Sequence, residues 1–372
     1  MRAVGMILAG GNSYRMKELS NKRAIAAMPI AGSYRSIDFA LSSMSNSNIK
    51  KVAVLTQYNS RSLNEHLNSS KWWDFGRKQG GLFVFPPMVT SDNGFWYRGT
   101  ADAIHQNLDF LKNCHEPYVV IASGDGIYKL DFNKILEYHI AKKADVTVVC
   151  KDIPASEDTS RFGVLKMNED CRIEQFEEKP MASPSHTISC GIYVVRRRQL
   201  IEMIEKAAEE GRFDLVRDVL IRYKDVKRIY GYKIDSYWSN IASVESYYKT
   251  NMDFLKPEVR HYFFREYPDV CSKVDDLPPA KYNPGCEVKN SLVSSGSIIN
   301  GYVENSLIFK NVFVGENCVI KNSIVLNDVY LGDNVHIENC IVESRDTIRP
   351  NTYYNGEDGI KIVIESNERY VL

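Results

Sequence analysis

A short apolar stretch followed by small residues and an arginine is the segment best suited to chemistry. Val4–Leu8 is apolar throughout, and Gly10, Gly11 and Arg15 follow it closely. A buried strand that ends in a small-residue turn presents backbone N–H groups to an anion, and a guanidinium adds charge-assisted hydrogen bonds. This pattern predicts a cradle for the phosphate groups of a nucleotide, as a transferase would need.

Two residues near this cradle do not suit that chemistry. Tyr14 adds a large ring to the turn, and Ile25, within Arg23–Pro29, stands where we would expect a cation. Because the handling of phosphate groups depends mainly on positioning and positive charge, the loss of a cation weakens such a site. The sequence therefore predicts the architecture of a transferase with part of its chemistry removed.

The elements that position these residues alternate between apolar runs and polar, helix-like stretches. The predicted strands are Val4–Leu8, Lys51–Thr56, Leu82–Phe85, Tyr118–Ala122 and Val146–Cys150. The predicted helices are Ser36–Ser45, Ser62–Asn68, Thr100–Leu111 and Asn133–Lys142. This alternation predicts a Rossmann-like α/β domain with a mostly parallel sheet covered on both faces. Its ligands are expected beyond the carboxyl ends of the strands, at the Gly10–Gly11 turn and at Ser123–Gly126.

Composition argues against several classes of protein. The 372 residues carry a formal net charge of zero, without the basic stripe that nucleic-acid binding requires. No apolar stretch is long enough to cross a bilayer, and the N-terminus does not resemble a secretory signal, so a cytoplasmic location without membrane attachment is expected. The eight cysteines include no CxxC pair, which argues against zinc and favours buried thiols in a reducing compartment.

Three segments are predicted along the chain: the α/β domain at residues 1–256, a Pro-containing linker at 257–284, and a repeat domain at 285–372. In the last segment one aliphatic residue recurs every six positions, with a one-residue slip after Leu326. The members of this series are Ile308, Val314, Ile320, Leu326, Leu331 and Ile337. Gly315, Gly332 and many asparagines fall between them. Ordinary alternating strands have a period of two, so this step favours a parallel β-helix.

The chain resembles the bacterial glucose-1-phosphate adenylyltransferases (ADP-glucose pyrophosphorylases), and within that family it looks most like the accessory subunits of glycogen synthesis. The resemblance extends over nearly the whole chain. It implies that residues 1–256 are a nucleotidyltransferase-like domain and that the repeat domain is a left-handed β-helix. It rests on nine segments in the family's order: 8–16, 34–39, 55–58, 96–104, 123–131, 161–165, 176–180, 189–195 and 238–243.

The resemblance also implies site residues. It places Gly10, Gly11 and Arg15 at the triphosphate, Gln57 at the adenine edge, and Asp125 at the catalytic Mg²⁺. A strand-to-helix turn, which consists of Gly99, Thr100, Ala101 and Asp102, would lie against the nucleotide. Helix capping by Thr100 is a simpler explanation of the same motif, and both can hold together. The implied glucose 1-phosphate pocket consists of Glu178, Lys179, Ser189, Tyr193, Asp214 and Trp238. By itself, Glu178–Lys179 would more often be a solvated turn.

This sequence departs from the family pattern at several of its functional positions. The catalytic lysine is replaced by Ile25, and the aspartate that would be the second Mg²⁺ ligand is replaced by Asn240. Loss of one charged or oxyanion-stabilising group typically costs about 10²- to 10³-fold in rate. The other departures are Ser13, Tyr14, Ala26, Gly126, Leu215, Val216, Ala242 and Ser243. The resemblance therefore implies a regulatory subunit with little activity of its own and weakened Mg²⁺ binding.

The implied partners are a catalytic subunit, in a mixed tetramer, and ATP, ADP-glucose or glucose 1-phosphate as ligands. A homo-oligomer is expected when the chain is alone. Three alternatives remain open from the sequence: an active adenylyltransferase in which Lys17 or Lys22 replaces the missing lysine, a scaffold that binds no ligand, and a hexapeptide-repeat acyltransferase. The last normally needs a histidine in a cleft between β-helices, and His336 alone supports it weakly.

Overall fold

The computed structural model describes residues 2–76, 80–88, 96–181, 185–357 and 359–365, which form two compact units. The first unit contains the residues up to Gly11 together with Phe39–Trp238. The second contains Asn12–Asp38 together with the residues from Ser239 onward. An N-terminal segment, Asn12–Asp38, thus packs with the C-terminal part of the chain.

Hydrogen bonds show how the 12–38 segment is held in the second unit. The Tyr247 hydroxyl donates to the Pro29 carbonyl over 2.7 Å, and the Asn251 side-chain oxygen accepts from the Ala31 N–H over 3.0 Å. Tyr247 is fully buried, so the loss of this bond would leave a polar group without water. Residues separated by more than 200 positions therefore share one core.

The first thirteen strands lie between Ala3 and Asn240. They are β1 (Ala3–Ala9), β2 (Pro29–Ile30), β3 (Tyr34–Arg35), β4 (Lys51–Thr56), β5 (Gly81–Phe85), β6 (Tyr118–Ser123), β7 (Gly126–Tyr128), β8 (Val146–Asp152), β9 (Gly163–Met167), β10 (Ile173–Glu178), β11 (Thr187–Arg196), β12 (Ile229–Lys233) and β13 (Trp238–Asn240). The helices are α1 (Ser36–Asn46), α2 (Arg61–Leu67), α3 (Thr100–Gln106), α4 (Leu108–Lys112), α5 (Phe132–Ala141), α6 (Arg197–Glu209), α7 (Val244–Asp253) and α8 (Pro257–Phe264).

One large mixed sheet organises the first unit. Its strand order is β10-β9-β11-β6-β1-β4-β5, with β8 beside β11 and β12 beside β8. The strands β5, β4, β1 and β6 are parallel, whereas β11 runs antiparallel to both β6 and β8. The predicted α/β class is confirmed, and each of the five predicted strands is present within two residues of its predicted ends.

Two features differ from the sequence prediction. The helix predicted over Thr100–Leu111 is broken into α3 and α4 at Asn107. The Asn107 side chain donates to the Ala103 carbonyl over 2.8 Å and to the Tyr97 hydroxyl over 3.0 Å, so it competes with the helical backbone bonds. The predicted linker begins with a helix, α8, in which Phe263 is buried.

The C-terminal part is a parallel β-helix built from three five-stranded sheets. The first sheet contains β14 (Lys281–Tyr282), β17 (Ile298–Ile299), β20 (Phe313–Val314), β23 (Tyr330–Leu331) and β26 (Thr347–Ile348). The second contains β15 (Glu287–Lys289), β18 (Tyr302–Glu304), β21 (Val319–Lys321), β24 (His336–Glu338) and β27 (Tyr353–Asn355). The third contains β16 (Leu292–Val293), β19 (Leu307–Ile308), β22 (Ile324–Val325), β25 (Cys340–Val342) and β28 (Lys361–Val363).

The interior of the β-helix corrects one residue of the predicted series. Ile308 pairs with Val325, which in turn pairs with Val342, so each of these coils contains 17 residues. Val325 belongs to the β-helix core, and Leu326 does not, although it is buried. The five-residue step therefore leads into the third sheet, from Ile320 to Val325 and again from Ile337 to Val342, instead of following Leu326 once. The other five residues of the series lie in the core as predicted.

Asparagines form many of the corners because this residue tolerates the left-handed backbone conformation. The φ angle is positive at Asn305, Asn311, Asn317, Asn322, Asn334 and Asn339. Side-chain amides also join successive coils, as Asn317 donates to Asn334 over 3.2 Å and Asn334 to Asn351 over 2.9 Å. Gly332 has a different role: a Cβ atom there would lie 2.7 Å from the Pro350 ring.

Two further features of the described residues concern the cysteines and the apolar character of the helices. All eight cysteines are free thiols. No helix in the described ranges has the length and apolar character needed to cross a membrane.

Arg345 provides a stability test of the corner geometry. It has a φ of 59° at a corner where the two preceding coils have Asn311 and Asp328. Because asparagine adopts this conformation at lower cost, Arg345→Asn should raise the free energy of unfolding by about 1 kcal/mol, measured by urea denaturation. Arg349→Asn, at an exposed position of the same coil that lacks a positive φ, should give no comparable gain. Equal effects of the two substitutions would contradict this account.

Candidate functional site

The turn after β1 and the end of β4 bring two of the predicted nucleotide residues together. A Cβ atom on Gly10 would lie 3.2 Å from the Gln57 Cβ atom, so glycine permits this close approach. The Gln57 side-chain oxygen accepts a hydrogen bond from the Tyr97 N–H over 2.5 Å. With this oxygen engaged, a base placed here would be recognised through the Nε2 donor of Gln57.

The Gly99–Asp102 turn is held by the segment that follows α6. The Phe213 carbonyl accepts from the Ala101 N–H over 2.7 Å, and the Thr100 hydroxyl accepts from the Leu215 N–H over 2.8 Å. A Cβ atom on Gly99 would collide with the Phe213 carbonyl. Thr100 therefore does not cap α3, as the sequence had suggested it might; the carbonyl of a distant residue does.

Arg98, which the sequence analysis did not single out, is positioned by this turn. The buried Asp102 carboxylate accepts from the Arg98 N–H over 2.8 Å and pairs with its guanidinium over 3.2 Å. The Arg98 guanidinium also lies 3.9 Å from the centre of the Phe213 ring. In the sequence, an aspartate four positions after an arginine, at the start of a predicted helix, is the pattern that could have indicated this pair. The pair makes Asp102 a positioning residue for a half-exposed cation.

Asp125 lies in the turn between β6 and β7. The Ser123 hydroxyl donates to Asp125 Oδ1 over 2.5 Å. A Cβ atom on Gly126 would lie 3.0 Å from the Tyr128 ring and 3.8 Å from Trp238 Nε1, so a larger residue has little room here. The Tyr128 hydroxyl and Trp238 Nε1 are buried, and neither has a hydrogen-bond partner in the described part of the chain. Two unused polar groups thus lie close to the turn that carries Asp125.

The predicted sugar-phosphate residues cluster around the end of β10. Lys179 Nζ lies 3.3 Å from Glu178 Oε1, and the Tyr193 hydroxyl lies 3.2 Å from the Ser189 hydroxyl. Burial raises the pKa of Glu178 and Lys179 opposes this, while Asp214 adds to the increase. Burial also raises the pKa of Tyr193, and both carboxylates act in the same direction. These shifts place Glu178, Tyr193 and Asp214 within electrostatic range of each other.

Asp214 has a structural role in addition to the implied one. Its Oδ1 atom accepts from the Val216 N–H over 2.9 Å and from the Arg217 N–H over 2.8 Å, so it caps the π-helical turn Leu215–Leu220. Trp238 packs edge-on against Phe162, with 5.6 Å between the ring centres.

In the second unit, Arg15 and Tyr14 contact each other. Arg15 Nε donates to the Tyr14 hydroxyl over 3.2 Å, and the guanidinium carbon lies 5.7 Å from the ring centre. Tyr14 is 85% exposed, so the ring does not fill the turn as expected from the sequence. Instead, it provides a surface on which the Arg15 side chain rests.

Three positions at which the resemblance implies a departure from the family pattern are joined by hydrogen bonds. The Ser13 hydroxyl donates to the Ala242 carbonyl over 2.7 Å. The Ala242 N–H in turn donates to the Asn240 side-chain oxygen over 3.0 Å. The oxygen of Asn240 that could replace a carboxylate ligand is therefore engaged by the backbone. Residues 229 positions apart in the sequence are therefore in direct contact.

Ile25 belongs to an apolar surrounding in which a cation would be costly. It begins the short helix Ile25–Ala27, all of whose residues are buried, and it is 6% exposed. Neither lysine considered as a replacement is buried with it. Lys22 is exposed; burial raises the pKa of Asp346, and the charge of Lys22 opposes this increase. Lys17 is also exposed and lines a cleft of about 590 Å³ together with Glu245 and Lys361.

The donors for a metal ion are few. No group of three or more His, Cys, Asp and Glu side chains in the described ranges could hold one. In the first unit, Asp125 offers a carboxylate. One carboxylate suits a Mg²⁺ ion only if phosphate oxygens of a bound ligand complete its coordination. In the second unit, the Asn240 amide oxygen already accepts a hydrogen bond.

Comparison with known proteins agrees with this arrangement. Residues 4–257 match the nucleotidyl transferase family, and residues 278–359 match the GlmU-like C-terminal hexapeptide family. The glucose-1-phosphate adenylyltransferase of Pseudothermotoga lettingae is 38% identical over 322 residues, 86% of this chain and 76% of that protein. The enzymes of Clostridium novyi and Geobacillus stearothermophilus are each 37% identical, over 84% and 83% of their own lengths. The chain belongs to the glucose-1-phosphate adenylyltransferase family.

Membership of the glucose-1-phosphate adenylyltransferase family confirms the coarser expectations drawn from the sequence. A nucleotidyl transferase region followed by a hexapeptide β-helix is present in both the comparisons and the structure. The family contains enzymes whose name specifies adenylyl transfer to glucose 1-phosphate.

Glu178 allows a test of the sugar-phosphate cluster. Because its pKa is raised in the folded protein, its carboxylate lowers stability at pH values above that pKa and not below the ordinary pKa of glutamate. Glu178→Gln should therefore be more stable than the native chain at neutral pH, with the advantage disappearing as the pH falls below the ordinary pKa of glutamate. It should also weaken glucose 1-phosphate binding about tenfold or more in calorimetry, through loss of a charged hydrogen bond.

The matched control is Glu177→Gln, which changes an exposed neighbour on β10. It should alter neither the pH dependence of stability nor the binding of glucose 1-phosphate. If Glu178→Gln binds the sugar phosphate as tightly as the native chain, Glu178 is not part of the pocket.

Proposed function

We propose that this chain is a regulatory, catalytically weak subunit of ADP-glucose pyrophosphorylase in bacterial glycogen synthesis. The observation that carries the proposal is the hydrogen-bonded chain from Ser13 through Ala242 to Asn240. Separate random losses would not be expected to fall on residues that contact each other. The buried Ile25 supports the same reading, since its surroundings are adapted to an apolar side chain.

The proposed ligands are ATP or ADP-glucose and glucose 1-phosphate. The turn at Gly10 and Gly11, with the Arg15 guanidinium, would hold phosphate oxygens, and Gln57 would recognise adenine through its Nε2 donor. Glu178 would accept hydrogen bonds from sugar hydroxyls, while Lys179 would pair with the phosphate. These residues have kept their polar groups, so the capacity to bind is retained where the capacity for turnover is reduced.

The reaction of the family explains why the changed residues matter. A phosphate oxygen of glucose 1-phosphate attacks the α-phosphorus of ATP, and pyrophosphate leaves. The anionic groups must be brought together, so positive charge and positioning provide most of the catalysis. When bound, Mg²⁺ supplies part of that charge, and Asp125 is the carboxylate that would hold it. Without the lysine at position 25 or the aspartate at position 240, the transition state is poorly stabilised.

The proposed partner is a catalytic subunit of the same family, in a mixed tetramer. A site that binds a ligand without converting it can still shift an assembly between two states, provided that the ligand binds the two states with different affinity. This gives a physical reason for retaining Gln57, Asp125 and Lys179 in a subunit that turns over slowly. A role as a scaffold that binds no ligand would not require these residues.

The first test is an assay of the purified chain, alone and mixed with a catalytic subunit from the same organism. Alone, with Mg²⁺, ATP and glucose 1-phosphate, it should release pyrophosphate more slowly than about 1 s⁻¹. In the mixture it should raise the partner's activity or change its response to effectors. Faster release by this chain alone would support an independent enzyme, and separate elution of the two subunits would contradict the partnership. Equilibrium binding of ATP distinguishes a regulatory subunit from a scaffold.

A second test restores the family residues. Ile25→Lys, Asn240→Asp, Ser13→Gly, Tyr14→Thr and Ala242→Gly together should raise turnover far more than any one of them, because the groups act as a unit. Asp125→Asn in the restored background should abolish the gain. Thermal unfolding of each variant checks that the buried lysine at position 25 does not unfold the chain. A folded, ATP-binding restored variant without activity would show that the defect lies elsewhere, such as at Gly126.

A further inference from the structure

Gln57 lies just beyond the carboxyl end of β4, beside the turn that follows β1. The two strands are parallel neighbours, and their pairing extends to Ala9 and Thr56, so Gly10 and Gln57 are the next residues on each strand. Ligands of parallel sheets bind at this edge. Gln57 is partly exposed, so its side chain can reach a ligand placed there.

The hydrogen bond from Tyr97 determines which end of the Gln57 amide is the oxygen. A backbone N–H can only donate, so the atom 2.5 Å from the Tyr97 nitrogen must be Oε1 and not Nε2. The opposite orientation would set two donors against each other and leave the N–H of a residue that is 7% exposed without an acceptor. Among the described residues, none accepts a hydrogen bond from Nε2. The donor end of the amide is therefore the end left for a ligand.

The residue that provides this N–H is itself held in place. The Tyr97 hydroxyl donates to the Phe85 carbonyl over 3.1 Å and accepts from the Asn107 side chain over 3.0 Å. The N–H that follows Tyr97 in the chain donates to the Asp102 carboxylate over 2.8 Å. Tyr97 is thus fixed through its side chain and through the next peptide, and it keeps the Gln57 amide in one orientation.

A glutamine amide selects adenine when both of its ends face the base. Nε2 then donates to a ring nitrogen while Oε1 accepts from the 6-amino group, and such a bidentate pair discriminates against other bases by about tenfold to 100-fold. In this structure Tyr97 uses one lone pair of Oε1 and sets the plane of the amide, so the second lone pair is not free to turn towards a base. The interaction that remains for a base is donation from Nε2.

We propose that Gln57 recognises a hydrogen-bond acceptor on the base and not the amino group of adenine, so that this site takes 6-oxopurine nucleotides as well as adenine nucleotides. The inference rests on the proposed function, in which a nucleotide occupies the site. Adenine offers N1, N3 and N7 as acceptors, and hypoxanthine offers O6, N3 and N7. Each edge of either purine therefore presents an acceptor to Nε2.

Binding of ATP and of inosine triphosphate (ITP) to the full-length chain tests this choice, because the two nucleotides differ only at positions 1 and 6 of the base. The measurement is calorimetry with Mg²⁺ and without glucose 1-phosphate, so that no turnover occurs. ITP should bind within about threefold of ATP, since each offers Nε2 one acceptor, whereas a site that recognises the amino group would bind ITP about tenfold to 100-fold more weakly.

Gln57→Glu should create a preference for ATP. One carboxylate oxygen would keep the bond from the Tyr97 N–H, and the other would accept from the adenine amino group and repel the hypoxanthine O6. The ratio of ATP affinity to ITP affinity should rise about tenfold or more, although the added charge weakens the binding of both nucleotides. Thermal unfolding checks that the variant is folded.

The matched control is Asn59→Asp, which makes the same amide-to-acid change at an exposed position two residues further on. It should leave the ratio of the two affinities as it is in the native chain. The inference is overturned, and the proposed function stands, if ATP binds and ITP binds at least about tenfold more weakly, or if Gln57→Glu leaves the ratio unchanged. If neither nucleotide binds the native chain, the proposed nucleotide ligand is wrong and this inference fails with it.

Discussion

The packing of the 12–38 segment with the C-terminal part of the chain is the constraint on which much of this structure depends. An ion pair joins Arg23 to Glu343 over 2.5 Å, and the glutamate is 1% exposed. Loss of one member of a buried ion pair typically costs about 3–5 kcal/mol, because the remaining charge is left uncompensated. The loop that carries Arg15 and the helix that carries Ile25 are therefore held by the same unit that contains the β-helix.

This packing places four of the residues at which the resemblance implies a departure from the family in the same unit. Ser13, Ala242 and Asn240 are connected by two hydrogen bonds, and Ile25 is buried in the same unit. A substitution at Ser13 or Asn240 would remove one of the two hydrogen bonds to the Ala242 backbone. At these positions the second unit has neutral hydrogen bonds and a buried aliphatic side chain, whereas Glu178 and Lys179 form an ion pair in the first unit.

The β-helix shows how one repeat can support surfaces with different properties. The 17-residue coil keeps aliphatic residues inside and places asparagines where φ is positive. Each sheet then has one outward set of side chains whose chemistry is free to vary. The third sheet is apolar and covered by its own unit, and the second sheet carries Lys289, Glu304, Lys321 and Glu338 on successive coils. The first sheet carries a stacked Phe313–Tyr330 pair with ring centres 4.8 Å apart.

The sequence by itself determined the features that have a local period or a local composition. The five strands, the α/β class and the parallel β-helix follow from apolar runs and from a repeat, and these are properties of neighbouring residues. Leu326 was misplaced because two adjacent aliphatics satisfy the period equally well, and only the pairing of Val325 with Ile308 distinguishes them. Sequence motifs also indicated most of the candidate site residues, since these types lie at strand ends.

Only the tertiary structure decided which distant residues share an environment. It placed 12–38 with the C-terminal unit, capped α3 with the Phe213 carbonyl, paired Arg98 with Asp102, and joined Ser13 to Ala242. Such contacts depend on side-chain shape and hydrogen-bond geometry across more than a hundred residues, and no local pattern encodes them. Burial likewise comes from the whole fold, so the pKa of Glu178 and the apolar surroundings of Ile25 could not be read from the residues beside them.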